Sequence, residues 1–456
     1  MELTARENKM GTMGIPKLLY SVSLPIIASM LIQALYNIVD SVYVAQFNNI
    51  EGTGALTLAF PIQNLMIATS VGLAVGMNAL LSRSLGQKNH EKANMIAGQG
   101  IFLALCGYIV FLAVGLFVAM PYSVSSSEGN TLLAQYSCDY ISIVCIASIG
   151  VFIQVVTERL LQATGKSVYS MLIQMSGAVI NIVLDPILIF GWLGLPAMGI
   201  KGAAIATVVG QCVAAVLGIV LNLTVNKEIK LSLKNILPRL NLLWEILVIG
   251  IPAILMQAIG SVMTFSMNTI LIKFSEEALN VFGLYFKLQS FVFMPIFGLN
   301  NGMVPIVSYN FGAQKKERVF ATVKLAAITA IVYMLLGFAV FQLIPDVLLG
   351  FFDASAKMLV IGRKALRTIS LSFIFAGFSV IASATCQALG KSVYSLVVSV
   401  GRQLVVLIPV AFLLSLTGNV DLVWFAFPIA EIMSLILCVY YLIRVMRKSF
   451  PHKAEQ

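Results

Sequence analysis

The chain has 456 residues, 59% of them hydrophobic and only 11% charged, with a mean hydropathy of +0.95. A soluble domain carries about a quarter charged residues, so this composition excludes an ordinary soluble protein and describes a chain that faces lipid or itself. The net charge of +10 invites a nucleic-acid partner, but the basic residues are spread over short segments without an aromatic-rich soluble domain, which argues for no nucleic-acid binding.

In chain order, the first 17 residues carry Glu2, Arg6, Glu7, Lys9 and Lys17 and read as a retained cytoplasmic segment with no cleavable signal. Stretches of about 20 apolar residues then follow, each long enough to cross the hydrocarbon core as a helix. They are expected at 18–45, 55–80, 96–121, 137–157, 168–190 and 202–224, and again at 245–272, 280–306, 325–349, 367–386, 393–415 and 422–443. This predicts an all-α polytopic membrane protein of 12 transmembrane helices. Residues 18–224 form an N-lobe, 225–244 a cytoplasmic interlobe linker, 245–443 a C-lobe and 444–456 a cytoplasmic tail.

The two lobes are copies. Gln162 to Ser170 reads QATGKSVYS, and 225 positions later Gln387 to Ser395 reads QALGKSVYS. Gly72 to Glu91 laid over Gly298 to Glu317 keeps Gly, Leu, Gly, Met, Ser, Gly and Glu in place at an offset of 226. Six spans per half is an even number, so the copies enter from the same side and are related by an axis along the membrane normal.

Orientation follows from the basic residues, which are retained on the cytoplasmic side. The connections and tails assigned to that side hold 21 of the 29 Lys and Arg, Arg83, Lys88, Lys166, Lys230 and Lys315 among them, whereas the outer loops hold Lys201, Lys273 and Lys357, with Arg363, Lys364 and Arg367 at one outer entrance. The expected location is therefore the cytoplasmic (inner) membrane, with both termini cytoplasmic.

Several apparent motifs carry no chemistry. The GKS at Gly165 and Gly390 lacks the glycine five positions earlier, where Leu160 and Thr385 stand, so neither is a phosphate-binding loop. The six cysteines have no CxxC spacing and read as small core residues. His90 and His452 stand in polar segments, and no HExxH or GxSxG is present, so an enzyme is not expected. No cofactor is expected beyond a coupling ion.

The residues that carry information are ionisable groups deep in the spans, each costly in hydrocarbon and usually part of a cavity or ion path. In the N-lobe these are Asp40, in NIVDSVYVA, and Asp185, in NIVLDPILIFG, at similar depth. Asn181 lies four residues before Asp185 on the same helix face, and Pro186 frees the carbonyl of Ile182. Such a group of oxygens suits a small cation, either a proton on a carboxylate of raised pKa or sodium held by Asp40, Asn181 and Asp185. The residue types leave both open, as they leave open a local capping role.

The C-lobe lacks this pair: the position matching Asp40 is Met267, and the segment matching Asp185 reads LIPVAFLL. It carries Lys287, Arg402 and Glu431 instead, with Glu431 close to the repeat equivalent of Thr207. These line a substrate cavity or form an internal salt bridge. Met256 and Met263 are further cavity candidates, because methionine offers a soft surface to varied apolar ligands. Pro25, Pro61, Pro186, Pro252, Pro295, Pro305 and Pro409 can bend the spans.

An ordered series of segments, SLPIIASMLIQALYNIVDSVYVAQF from Ser23, NALLSRSLGQKNHEKA from Asn78, RLLQATGKSVYSMLIQMSGAVINIVLDPILIFG from Arg159, GIKGAAIATVVGQ from Gly199 and MVPIVSYNFGAQKKERV from Met303, resembles the multidrug and toxic compound extrusion (MATE) family. The bacterial subgroup of DinF-like and MepA-like exporters fits best, and the resemblance covers essentially the whole chain. It implies a V-shaped fold of two pseudo-symmetric six-helix bundles. It also implies export of amphiphilic, often cationic compounds by alternating access, in antiport against protons or sodium.

On that resemblance the cation site is carried by Asp40, Asn181 and Asp185, with Thr207 as a further ligand and the carbonyl of Ala203 beside it. The partners are then small amphiphilic molecules and the bilayer, and the working unit a monomer. Some relatives have a second carboxylate site on the seventh or tenth span; Gln257 and the absence of an acid there point instead to first-lobe coupling. The readings competing with this one are a lipid-linked oligosaccharide flippase, a passive channel and a receptor.

Overall fold

The computed structural model describes residues 8–127, 129–352 and 355–450, and side chains within these except at 37, 38, 40–42, 44–51 and 53. The side chain of Asp40 therefore lies outside the described residues, as do Glu2, Arg6, Glu7, His452 and Lys453. The described residues are helical throughout, with no strand among them.

A short α1 (Lys9–Thr12) precedes α2 (Ile15–Gly86), which contains the first two candidate spans, Ile15–Tyr36 and Gly54–Gly86. The N-terminal half continues with α3 (His90–Ala113), α4 (Ala119–Ser126), α5 (Thr131–Ile146), α6 (Ile149–Ala163), α7 (Ser167–Phe190) and α8 (Ile200–Thr224). The connection holds α9 (Leu233–Ile236). The C-terminal half comprises α10 (Leu240–Leu271), α11 (Glu276–Gly312), α12 (Lys316–Leu343), α13 (Pro345–Gly350), α14 (Ala356–Ser370), α15 (Phe373–Ala388), α16 (Ser392–Val400), α17 (Ile408–Ser415), α18 (Val420–Val423) and α19 (Ala426–Ser449). Among the described residues ten helices are long and apolar enough to cross a membrane, and twelve spans result when the bent pairs α5–α6 and α14–α15 are each taken as one.

Those two pairs bend by 47° each, at Ala147–Ser148 and Leu371–Ser372, which are equivalent places in the repeat. Proline was the expected source of bending, yet Pro25, Pro61, Pro186, Pro252, Pro295 and Pro305 all lie inside helices whose assignment runs on through them. A serine follows the break residue at both places; Ala147 leaves helix geometry with ψ 17°, whereas Leu371 keeps helical angles. A lost hydrogen bond at proline can be absorbed by neighbouring groups inside a packed bundle, so proline marks a weak point without fixing a break. The structure also starts α10 at Leu240, so the last five residues of the expected linker are helix.

The halves meet along α2, α10 and α11, and the contacts obey the repeat. A Cβ at Gly76 would lie 2.4 Å from the Ile246 carbonyl oxygen of α10, and one at Gly302, its repeat mate, 2.3 Å from Ser23 Oγ of α2. Only glycine lets these backbones approach so closely. Near the basic connections, the end of α2 touches the end of α11, where Gly86 abuts the Tyr309 carbonyl and Gly312 the Arg83 carbonyl. Lys92 of α3 pairs with Glu245 of α10 at 3.0 Å. Gln99, fully buried on α3, donates to the carbonyls of Asn235 and Leu237 at 2.8 Å and accepts from the Arg239 N–H, which satisfies the connecting segment's backbone.

Candidate functional site

Helix α7 places Gly177, Asn181 and Asp185 at intervals of four, hence on one face, and α8 presents Ala203, Thr207 and Gly210. The two helices cross at glycine: a Cβ on Gly210 would lie 2.7 Å from the Gly177 carbonyl oxygen. That approach is what brings the side chains one turn further along into bonding distance. Asn181, Asp185, Thr207 and Ala203 are all buried, Asp185 completely.

Two orientations of the Asn181 amide can be drawn, and one of them satisfies all its neighbours. In one, Nδ2 donates to Asp185 Oδ2 at 2.9 Å while Oδ1 accepts from the Thr207 N–H at 3.0 Å and from its hydroxyl at 3.2 Å. In the other, Nδ2 donates to Thr207 Oγ1 at 3.2 Å but also faces the Thr207 N–H, while the amide oxygen faces the carboxyl, so donor meets donor and acceptor meets acceptor. The first suits an ionised carboxylate. The second leaves the amide nitrogen against the Thr207 N–H whatever the charge on Asp185, so the first is the orientation this pocket supports. Pro186 follows at once within α7 and cannot donate to the carbonyl of Ile182, leaving another acceptor nearby.

Helix α2 runs beside α7. Gln174 Nε2 donates to Gln33 Oε1 at 2.5 Å, and the rings of Tyr43 and Phe190 meet edge to face with centroids 6.2 Å apart. The backbone that carries Asp40 lies between those two contacts, alongside the stretch of α7 that ends in Asp185.

The C-terminal half brings Arg402 and Glu431 together. Arg402 Nη1 donates to Glu431 Oε2 at 3.0 Å, the acid being 6% exposed and the arginine 31%. Arg402 stands in a π-helical segment, Gly401–Leu407, between α16 and α17, and Glu431 on α19. This pairing of the eleventh and twelfth spans repeats the α7–α8 pairing of the first half. Lys287 lies apart, exposed on α11 with its Nζ 5.8 Å from the Phe352 ring centroid. Met256 and Met263 are half-buried on α10, Met263 against the core. Sequence reasoning did not anticipate Gln99, the helix-crossing glycines or the two bends. The glycines were visible in the sequence, but their partners were not.

The family model MatE matches residues 25–187 and again 252–413, once in each half. The chain therefore belongs to the MatE family of polytopic membrane transporters. It is 27% identical over 435 residues to the multidrug export protein MepA of Staphylococcus haemolyticus (strain JCSC1435), covering 95% of this chain and 94% of that one. With MepA of Staphylococcus aureus (strain MRSA252) it shares 26% identity over 92% of each chain. Among solved structures it is similar to the MATE multidrug transporter DinF-BH in complex with R6G, at 31% identity and a TM-score of 0.89 over 98% of this chain and 99% of the other. A MATE family transporter of the MOP superfamily in an outward-facing conformation shares the fold, with a TM-score of 0.90 at 23% identity over 98% and 99% of the two chains.

Proposed function

We propose that this protein is a cation-coupled multidrug antiporter of the cytoplasmic membrane, with both termini cytoplasmic, that exports amphiphilic, often cationic compounds by alternating access. The observation that carries the reading is the buried Asn181–Asp185–Thr207 cluster beside the backbone of Asp40. A carboxylate in a buried, low-dielectric pocket changes charge state by exchange with a small cation. Coupling follows if the cation-loaded and drug-loaded proteins prefer opposite openings, since a ligand that binds both states equally shifts neither.

Similarity to MepA and to the R6G-bound transporter supports amphiphilic drugs as the substrate class. Arg402 is neutralised by Glu431 and Lys287 lies apart from that pair, so these candidates supply no free basic site of the kind a flippase for lipid-linked oligosaccharides would need. The test is efflux of a fluorescent cationic dye from proteoliposomes under a pH gradient or a sodium gradient, imposed separately. One gradient should accelerate efflux, and Asp40→Asn and Asp185→Asn should each lower that response by about tenfold or more while inserting normally. Efflux indifferent to both gradients, or unchanged in the two variants together, would rule the reading out.

A further inference from the structure

The segment 8–14 precedes the first span, yet it bonds to both halves. On the N-terminal half, Asn8 Nδ2 donates to Glu228 Oε2 and, at 3.4 Å, to the carbonyl of Thr164. Thr164 opens the tight turn of the first QATGKSVYS copy, and Gly165 in that turn has φ +79° and faces Lys9 and Met10. Lys166 Nζ fastens the turn to the carbonyl of Val225 at 2.6 Å.

On the C-terminal half, the donors converge on the carbonyls of α1. Asn310 Nδ2 and Arg318 Nη2 each donate to Met10 O at 3.0 Å, Arg318 Nη2 to Met13 O at 2.7 Å, and Lys315 Nζ to Gly11 O at 3.0 Å. Cationic donors at the carbonyl end of a helix are favourable. Met10, wholly buried, seals the seam. The second copy of the turn makes no such contact: a Cβ on Gly390 would find Ile249 Cδ1 as its nearest atom, at 3.9 Å.

The repeat explains the arrangement. Each half is preceded by a short helix that lies across the other half: α9 before α10, held by Gln99 of α3, and α1 before α2, held by Asn310 and Arg318. The two are joined where Asn8 meets Glu228. The connecting segment with α9 is continuous with a span at each end, and α1 runs directly into α2.

We propose that residues 8–14 form a releasable strap that fastens the cytoplasmic ends of the two halves and must let go of Arg318, Asn310 and Lys315 before the cavity can open inward. Lobe separation at that end lengthens the Asn8 bonds or the Arg318 bonds, because one segment cannot follow both halves. The strap thus adds to the stability of the inward-closed state and sets how often it opens.

This rests on alternating access, so the experiment reads conformation without drug or ion gradient. Spin labels at Gln87→Cys and Glu317→Cys, in a background lacking the six native cysteines, report the distance between the end of α2 and the start of α12 by pulsed electron resonance. Deleting residues 2–12, and separately Arg318→Ala, should raise the long-distance population about fivefold or more. If both folded variants keep the distance distribution of the intact chain, or only lose thermal stability, α1 is a fixed brace and the strap is overturned. If the deletion does not fold, Arg318→Ala decides alone. A transporter with no ion-driven efflux that still shows the shift would keep the strap and refute the coupling reading instead.

Discussion

Asn181 serves two partners at once, and that dictates what its loss does. Asn181→Ala would strip the carboxyl of Asp185 and the hydroxyl of Thr207 of a shared neighbour in a buried pocket. A buried polar group deprived of its bond costs about 1–3 kcal/mol. A lower Tm and a weaker response to the driving ion gradient are expected, whereas Thr207→Ser, which keeps the hydroxyl, should stay near wild type in both. Glu228 offers a second test at this scale. Burial pushes its carboxyl above the ordinary range, against the pull of Lys166, the bond from Asn8, His90 and Lys9. Lys9 is shifted down, again by burial first, with Glu228 opposing and Lys166 adding to the shift. A raised carboxyl pKa means the packed strap binds a proton more tightly than the released one. Attachment is therefore strongest below the ordinary glutamate value of about 4.3 and weakens as pH rises through the value in the packed state. The long-distance population should grow from pH 4 toward neutrality, and Glu228→Gln should flatten the dependence.

Among the elements, the crossing of α7 and α8 and the Arg402–Glu431 contact invite opposite experiments. Gly210→Leu would drive a side chain into the Gly177 carbonyl and part the helices, costing about 1–3 kcal/mol and separating Asn181 from Thr207. Gly283→Leu, on α11 with nothing within 4 Å of a Cβ, is the control and should leave Tm unchanged. For the ion pair, removing one partner leaves a buried charge and costs about 3–5 kcal/mol, while replacing both by apolar residues is often neutral. Arg402→Met alone should therefore lower Tm more than Arg402→Met with Glu431→Leu. Equal losses would mean that the pair contributes little.

Across the whole molecule, what the sequence disclosed and what it hid divide along a physical line. Hydrophobic length, basic asymmetry and the repeated segments act locally or count residues, so twelve spans in two copied halves were legible from the chain alone. So was the face of α7 that carries Asn181 and Asp185, because four residues make roughly one turn of helix. Spacing did not give the partner of that face; Thr207 was named through the family resemblance, and it reaches the face only through the close crossing at Gly177 and Gly210. The bends at Ser148 and Ser372, the clamp of Gln99 on the connecting segment and the seat of α1 across the second half share this origin. Each is decided by which backbone lies opposite. Sequence sets what a segment can bury and which side of the bilayer its charges prefer; only the packed bundle decides which donor meets which carbonyl across more than a hundred residues of chain.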